Sequence, residues 1–205
     1  MNQDSEMLEV YTEDNKTKIG IADRGVVHYC NLWHREIACW VVNEKNEILL
    51  QRRSSNKKQS PNMLSVTAGH VDLNELPFEA TLREIKEEIG IDIQQQELIF
   101  LDTFKAKNSN NYHFKYVYLL RTDKKIEELT MQENEVSELL YVSIDKLKKM
   151  LKEPNTELTF AHQYYTPIIL EKIEKYINKW LMKTHINSKL YCYESELVIW
   201  KNIEL

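Results

Sequence analysis

The sequence predicts an α/β (α+β) fold organised as one main domain. Three observations carry this: short segments of apolar-polar alternation on both sides of a central helix, apolar residues at helical spacing in that helix, and a length of 205 residues, which suits one well-cored domain. The elements follow in order. Residues 7–27 alternate around a turn at Asp14-Asn15 (Leu8 and Val10, then Ile19 and Ile21) and read as a leading β-hairpin. Runs over 36–42 and 47–53 are strand-like and are separated by Asn43-Glu44-Lys45-Asn46. The polar stretch 54–62, ending near Pro61, is a loop, and 64–68 is a short strand entering Gly69.

The spacing predicts a helix over 77–89, then strands over 98–103 and 112–121, the second alternating through Tyr112, Phe114, Tyr116 and Tyr118. A further strand is expected over 139–142. Ser143 is the N-cap of a short helix over 144–151, and Pro167 sits in the first turn of a longer one over 166–183. Ile169, Ile173, Tyr176, Ile177 and Trp180 form a stripe on that helix, suited to packing on the domain or on a second copy. The single domain is expected to span 1–184. Residues 185–205 form a C-terminal extension, and its aromatic stretch 190–200 is a candidate added strand.

With 42% hydrophobic and 29% charged residues and only four Gly and four Pro, the composition excludes disordered and fibrous classes. A net charge of -5 provides no domain-wide basic surface for a nucleic-acid polymer. No apolar run reaches the ~18 residues of a membrane span. Cys30, Cys39 and Cys192 make neither an even disulfide set nor a CxxC pair, and the N-terminus lacks a signal-peptide layout, so a cytoplasmic location is expected.

The chemistry is concentrated in GHVDLNELPFEATLREIKEEIGI, residues 69–91. Phe78, Leu82, Ile85 and Ile89 form the apolar stripe of the helix, and Gly90 suits a left-handed C-cap. Glu84, Glu87 and Glu88 share another face at i, i+3 and i+4. Three adjacent like charges in the C-terminal half of a helix oppose both their own repulsion and the helix dipole, at a few tenths of a kcal/mol up to about 1 each. A divalent cation between them would reverse both penalties, and Mg2+ suits an all-oxygen site completed by substrate phosphates. A solvated acidic face is the alternative reading of the helix taken alone.

Gly69, five residues, Glu75, seven residues, then Arg83-Glu84-Ile85-Lys86-Glu87-Glu88-Ile89-Gly90-Ile91 matches the Nudix box at every defined position. Nine such positions agree by chance with a probability on the order of 10⁻⁸ over this length. The chain therefore resembles the Nudix hydrolases, and the resemblance implies a mixed β-sheet sandwiched between α-helices, with the N-terminal β-hairpin and C-terminal helix as additions. It also implies Mg2+, with Mn2+ able to substitute, held by Glu84, Glu87, Glu88 and the Gly69 carbonyl. Arg83 would orient its neighbours by ion pairing, and Glu75 would lock the loop to the helix. The implied reaction is hydrolysis of a diphosphate linkage in a small organic substrate, such as a nucleoside diphosphate derivative. Glu84 is the first choice of base, and Glu133, Glu135 and Glu138 are candidates for a further ligand or base.

Arg52, Arg53 and Lys57 precede the metal loop and are the candidate diphosphate-binding residues, with strand alternation sending Arg52 and Arg53 to opposite faces. The stretch from His34 to His70 also resembles the branch containing type I isopentenyl-diphosphate isomerases, where histidines matching His34 and His70 bind a metal. The isomerases' catalytic Cys is here Ala68, and the region of their catalytic Glu reads His113-Phe114-Lys115. A prenyl-diphosphate isomerase-like enzyme and a non-catalytic diphosphate sensor are the competing functions. His28, His34, His70 and His113 are open to two readings, a metal cluster or unrelated histidines. Trp33, Trp40, Tyr112, Phe114 and Tyr116 are equally open, to stacking on a substrate ring or to strand packing. A small-molecule partner is expected, with a homodimer as the preferred assembly.

Overall fold

The computed structural model describes residues 6–108, 110–161 and 163–182. Two compact units divide the chain, Met1–Thr166 and Pro167–Leu205. The first opens with β1 (Met7–Tyr11) and β2 (Lys18–Asp23), paired antiparallel as a hairpin. The expected hairpin extends to residue 27, but the chain leaves it at Asp23, whose carboxylate accepts from Gly25 N and starts helix α1 (Arg24–Tyr29). Gly25, Val26 and Val27 are poor helix formers, so propensity does not announce this turn. The cap and the burial of Val27 against Leu8 and Val10 hold it.

A mixed sheet follows, of β3 (His34–Val42), β4 (Glu47–Arg53), β5 (Leu64–Ser65), β6 (Thr67–His70), β7 (Leu98–Asn108), β8 (Asn111–Arg121) and β9 (Val136–Ser143). Its axis is the parallel pair β3 and β8, in register from His34 opposite His113 to Val42 opposite Arg121. Strand β7 pairs antiparallel with β8, and β9 with β4. Strands β3 and β4 touch in register only at Val42 and Ile48, and β6 takes the edge of β3 that they leave open, with Glu36 opposite His70 and Ile37 opposite Gly69. The expected single strand over 64–68 is thus two short pieces serving different partners. Strand β7 runs to Asn108, five residues past the expected end at 103, because its continuous pairing with β8 satisfies the polar backbone of Lys105 and Lys107.

Helix α2 (Pro77–Ile89) matches the expected span. Pro77 supplies the first turn, Glu79 accepts from Leu76 N, and Gly90 closes the helix at φ 72°. Its stripe packs on the sheet: Ile85 and Ile89 are fully buried with Ile37, Cys39, Val41, Leu49 and Leu120, and Phe78 and Leu82 cover the margin. The opposite face of β3 is buried too, Trp40 meeting Phe160 edge-on, so this strand reads as a nearly continuous apolar run. Ser143 caps α3 (Ile144–Met150) by accepting from Lys146 N.

In the second unit residues 167–182 are helical. The candidate strand over 190–200, the extension 185–205 and Cys192 lie outside the described residues; Cys30 and Cys39 are free thiols, exposed and buried respectively. Among the described residues, no helix is long and apolar enough to cross a membrane.

The packing of α2 sets a stability prediction. Ile85→Ala empties a fully buried position and is expected to cost about 2–5 kcal/mol. Gly90→Ala forces a side chain into the left-handed region and against Thr130, at about 1–2 kcal/mol. Urea denaturation midpoints of the two variants and the parent measure both, with Ile85→Ala the larger loss.

Candidate active site

Register assembles the site. Strand β6 ends in Gly69-His70 beside β3, the loop 71–76 turns the chain, and α2 returns its acidic face to the same place. Arg83 ties these pieces together. Its Nε and Nη2 donate to the two Glu75 carboxylate oxygens at 2.9 and 3.0 Å, and Nη2 also donates to the His70 carbonyl at 3.0 Å. Nη1 donates to Glu84 at 2.7 Å and reaches Glu87 at 3.4 Å. One guanidinium therefore spans the loop, the end of β6 and the acidic helix face, which its planar fork of donors allows.

Glu88 is buried, Glu84 is largely so with its side chain 13% exposed, and Glu87 lies at the cleft mouth, its side chain 48% exposed. Burial raises the Glu84 carboxyl to about 7 against the opposing pull of Arg83, with Glu87 and Glu135 adding to the rise. Burial, the charge of Glu84 and that of Glu135 raise Glu88 to about 8, although Gln51 Nε2 donates to it at 2.8 Å. Gly69 leaves no space for a side chain, since a Cβ there would stand 1.9 Å from Glu84 Oε1. Such converging buried carboxylates are costly as anions and well suited to a hard divalent cation, so the donor set fits Mg2+.

At the other end of the same cleft, histidines gather. Alternation puts His34 and Glu36 on one face of β3, parallel pairing sets His113 and Lys115 beside them, and antiparallel pairing brings His70 opposite Glu36. Helix α1 adds His28. The His28 and His70 Nε2 atoms are 3.3 Å apart, His34 Nε2 is 3.3 Å from Glu36 Oε1, and His70 Nε2 is 3.7 Å from the same oxygen. The ligand atoms of His28, His34, Glu36 and His70 all lie within 4.8 Å of one another, a set of nitrogen and oxygen donors that could hold a metal ion. Burial lowers His28 to about 4, with His70 and His34 contributing, which keeps that ring neutral; burial likewise lowers His113 to about 4, but His113 stands beside the four and not among them. Burial raises Glu36, but His113 and the Lys115 ammonium beside it outweigh that and hold it well below the carboxylate range. His113 Nδ1 and Nε2 and Asn111 Oδ1 are buried with no hydrogen-bond partner among the described residues.

The cleft joining the two ends has a volume of about 540 Å³. Arg53, Lys57 and Glu135 line it, Lys57 pairing with Glu135 at 2.8 Å. The assignment of Arg52 to substrate binding is corrected. Arg52 faces the other side of β4, where cross-strand Glu138 at 2.7 Å and Glu157 at 2.6 Å hold it, and it does not line the cleft. Glu138 is thereby occupied elsewhere, and Glu133 is exposed outside the lining, so of the three acidic loop candidates only Glu135 reaches the site. The aromatic residues do not reach it either. Trp33 stacks on Phe114 and tilts onto Tyr112, Trp40 is in the core, and the Tyr116 hydroxyl accepts from Asn15. Sequence reasoning missed Gln51, Glu36 and Asn111. Gln51 and Glu36 each adjoin an apolar run of their strand, Ile48-Leu49-Leu50 and Ile37 to Val42, and that position is the signal that could have marked them.

Comparison with known proteins agrees with this geometry. The family model "NUDIX domain" matches residues 32–162. An uncharacterised Nudix hydrolase of Clostridium acetobutylicum is 34% identical over 157 residues, covering 72% of this chain and 75% of that protein. An isopentenyl-diphosphate Delta-isomerase of Photorhabdus laumondii is 26% identical over 145 residues, covering 69% of this chain and 80% of its own length. The crystal structure of DR0079 from Deinococcus radiodurans superimposes with a TM-score of 0.58 at 24% identity, over 69% of this chain and 86% of that one, and shares the fold. The box, the mixed sheet and the family match together show that this chain belongs to the Nudix family, as a hydrolase of phosphoanhydride bonds.

Proposed function

We infer that the chain hydrolyses a diphosphate linkage in a small organic substrate with Mg2+, or Mn2+ in its place, held by Glu84, Glu87, Glu88 and the Gly69 carbonyl, with Glu135 nearby as a further ligand. The observation that carries this reading is the pair of largely buried carboxylates, Glu84 and Glu88, raised to about 7 and about 8 beside a glycine that leaves no room for a side chain. Bound at this face, Mg2+ supplies charge neutralisation for the phosphates and acidifies a coordinated water.

The chain's own residues supply the rest. Glu84 accepts the proton of the attacking water as the new P–O bond forms and the bridging P–O bond breaks. Arg83 fixes Glu84 at 2.7 Å, and Gln51 fixes Glu88 at 2.8 Å, so neither carboxylate must be ordered during the reaction. Arg53 and Lys57 bind phosphate oxygens from the facing wall. The complete set of box carboxylates favours turnover over a sensor role. Ala68 in the cleft lining, with no titratable side chain, disfavours proton-transfer isomerisation despite the isomerase relatives.

Glu84→Gln is expected to lower kcat about 10²-fold or more, the usual contribution of a positioned base, with far-ultraviolet circular dichroism unaltered. A 31P NMR assay of a panel of diphosphates, parent against variant, reads it; turnover undiminished in the pure variant removes Glu84 from the mechanism. Gly69→Ala is expected to displace Glu84 and weaken Mg2+ binding in calorimetry while leaving the fold intact.

The raised carboxyls also set a pH dependence. The unfolded chain releases these protons near the ordinary glutamate value of 4.5, whereas the folded chain keeps them to about 7 and 8, so the native state binds more protons in between. Stability of the metal-free protein therefore falls as pH rises from about 4.5 to 8 and levels off above. Melting temperatures in EDTA should show this decline, Glu88→Gln should flatten it, and added Mg2+ should reverse it at pH 8.

A further inference from the structure

A second cavity of about 260 Å³ adjoins the cleft and shares Arg24, His28, Arg53, Lys57 and Gln59 with it. Its lining adds Lys58 and Gly25, so four cationic side chains face it and, among its lining residues, no carboxylate. The site is built rather than incidental. Arg24 opens α1, and Arg53 ends β4. The loop after β4 is pinned at both ends, Asn62 N bonding to Arg53 O at 3.1 Å and Lys57 N to Ser54 O at 3.1 Å. The Arg53 guanidinium itself holds the Gln59 carbonyl at 3.2 and 3.1 Å through Nε and Nη2.

The charges here are not evenly compensated. Arg24 pairs with Glu6 at 2.7 Å and Lys57 with Glu135 at 2.8 Å, but Arg53 forms no carboxylate ion pair among the described residues. It is half-buried, and Arg24 faces it with the same charge. Burial and that repulsion make Arg53 hold its proton less tightly than usual, in spite of Glu88 and Glu135. An anion seated between Arg24 and Arg53 would relieve the repulsion and use the Arg53 Nη1 donors that Gln59 leaves unspent.

We propose that this basic annex, Arg24 and Lys58 with Arg53 bridging from the cleft, binds a further phosphoryl group of the substrate, so that the preferred substrate is a diphosphate that carries at least one phosphate beyond the linkage cleaved. This deepens the hydrolase reading and rests on it for the word substrate. The further phosphoryl group is either an ester on the organic moiety or the next member of a polyphosphate chain, and the same chemistry recognises both.

Calorimetry of the full chain in EDTA tests the annex without turnover, with inorganic pyrophosphate, inorganic tripolyphosphate and fructose 1,6-bisphosphate as probes. Tripolyphosphate or the bisphosphate is expected to bind about tenfold or more tightly than pyrophosphate, the size of one charge-assisted hydrogen bond, and the tighter of the two identifies the source. Arg24→Gln/Lys58→Gln should abolish the difference, and Lys58→Gln alone, at an exposed position, should reduce it without risk to folding. Equal binding of all three probes, or variants that bind as the parent does, overturns the proposal. In a parallel 31P NMR assay with Mg2+, tight variant-sensitive binding without turnover of any diphosphate sustains the annex and refutes the hydrolase reading. Turnover without the probe preference refutes the annex alone.

Discussion

The site depends on one guanidinium. Arg83 is half-buried, and its donors are spent on Glu75, the His70 carbonyl and Glu84 at once. Those acceptors belong to three stretches of chain, the loop, the end of β6 and the helix, which backbone hydrogen bonds do not otherwise join so closely. Because a half-buried cation loses part of its hydration, moving the loop would strip Arg83 of the carboxylates that compensate that loss. The same bonds stop Glu84 from swinging out to water. Arg83 thus exchanges a desolvation cost, which Glu75, Glu84 and Asp72 outweigh, for a fixed geometry of the acidic face.

Around that hub the structure tolerates an arrangement that is unfavourable for the chain alone. Glu84 and Glu88 sit in the C-terminal half of α2, near each other and near Glu135, and their carboxyls rise accordingly. The sheet beneath sustains the strain, because Ile85 and Ile89 on the adjacent stripe are fully buried against β3 and β8. A well-packed stripe and an ill-tempered acidic face on one thirteen-residue helix are two halves of a single design. Packing stabilises what the site costs.

The histidine cluster and the basic annex lie at the borders of the same cleft and come from elements distant in sequence. His34 and Glu36 meet His113 and Lys115 only through the parallel register of β3 and β8, and His70 only through the break between β3 and β4 that admits β6. Arg24 reaches Arg53 because α1 packs its Val27 onto the hairpin. Charges of both signs therefore line one cavity, acids from α2 on one wall and bases from α1 and the β4 loop on another.

The sequence by itself determined the local elements and the box. Strand and helix spans such as 47–53 and 77–89 are set by period and by Pro77 and Gly90, and the grouping of Arg83 with Glu84, Glu87 and Glu88 is written in consecutive turns of one helix, where spacing is geometry. It foresaw less where tertiary pairing decides. The α1 turn depends on a cap and a buried Val27 against poor propensity, the fate of Arg52 on which strand lies beside β4, and the aromatic residues on packing that leaves them outside the cleft. The placement of Glu36, Gln51, Asn111 and Arg24 required strand register and the turn of the chain after the hairpin. Those are properties of contacts between distant segments, which no local pattern encodes.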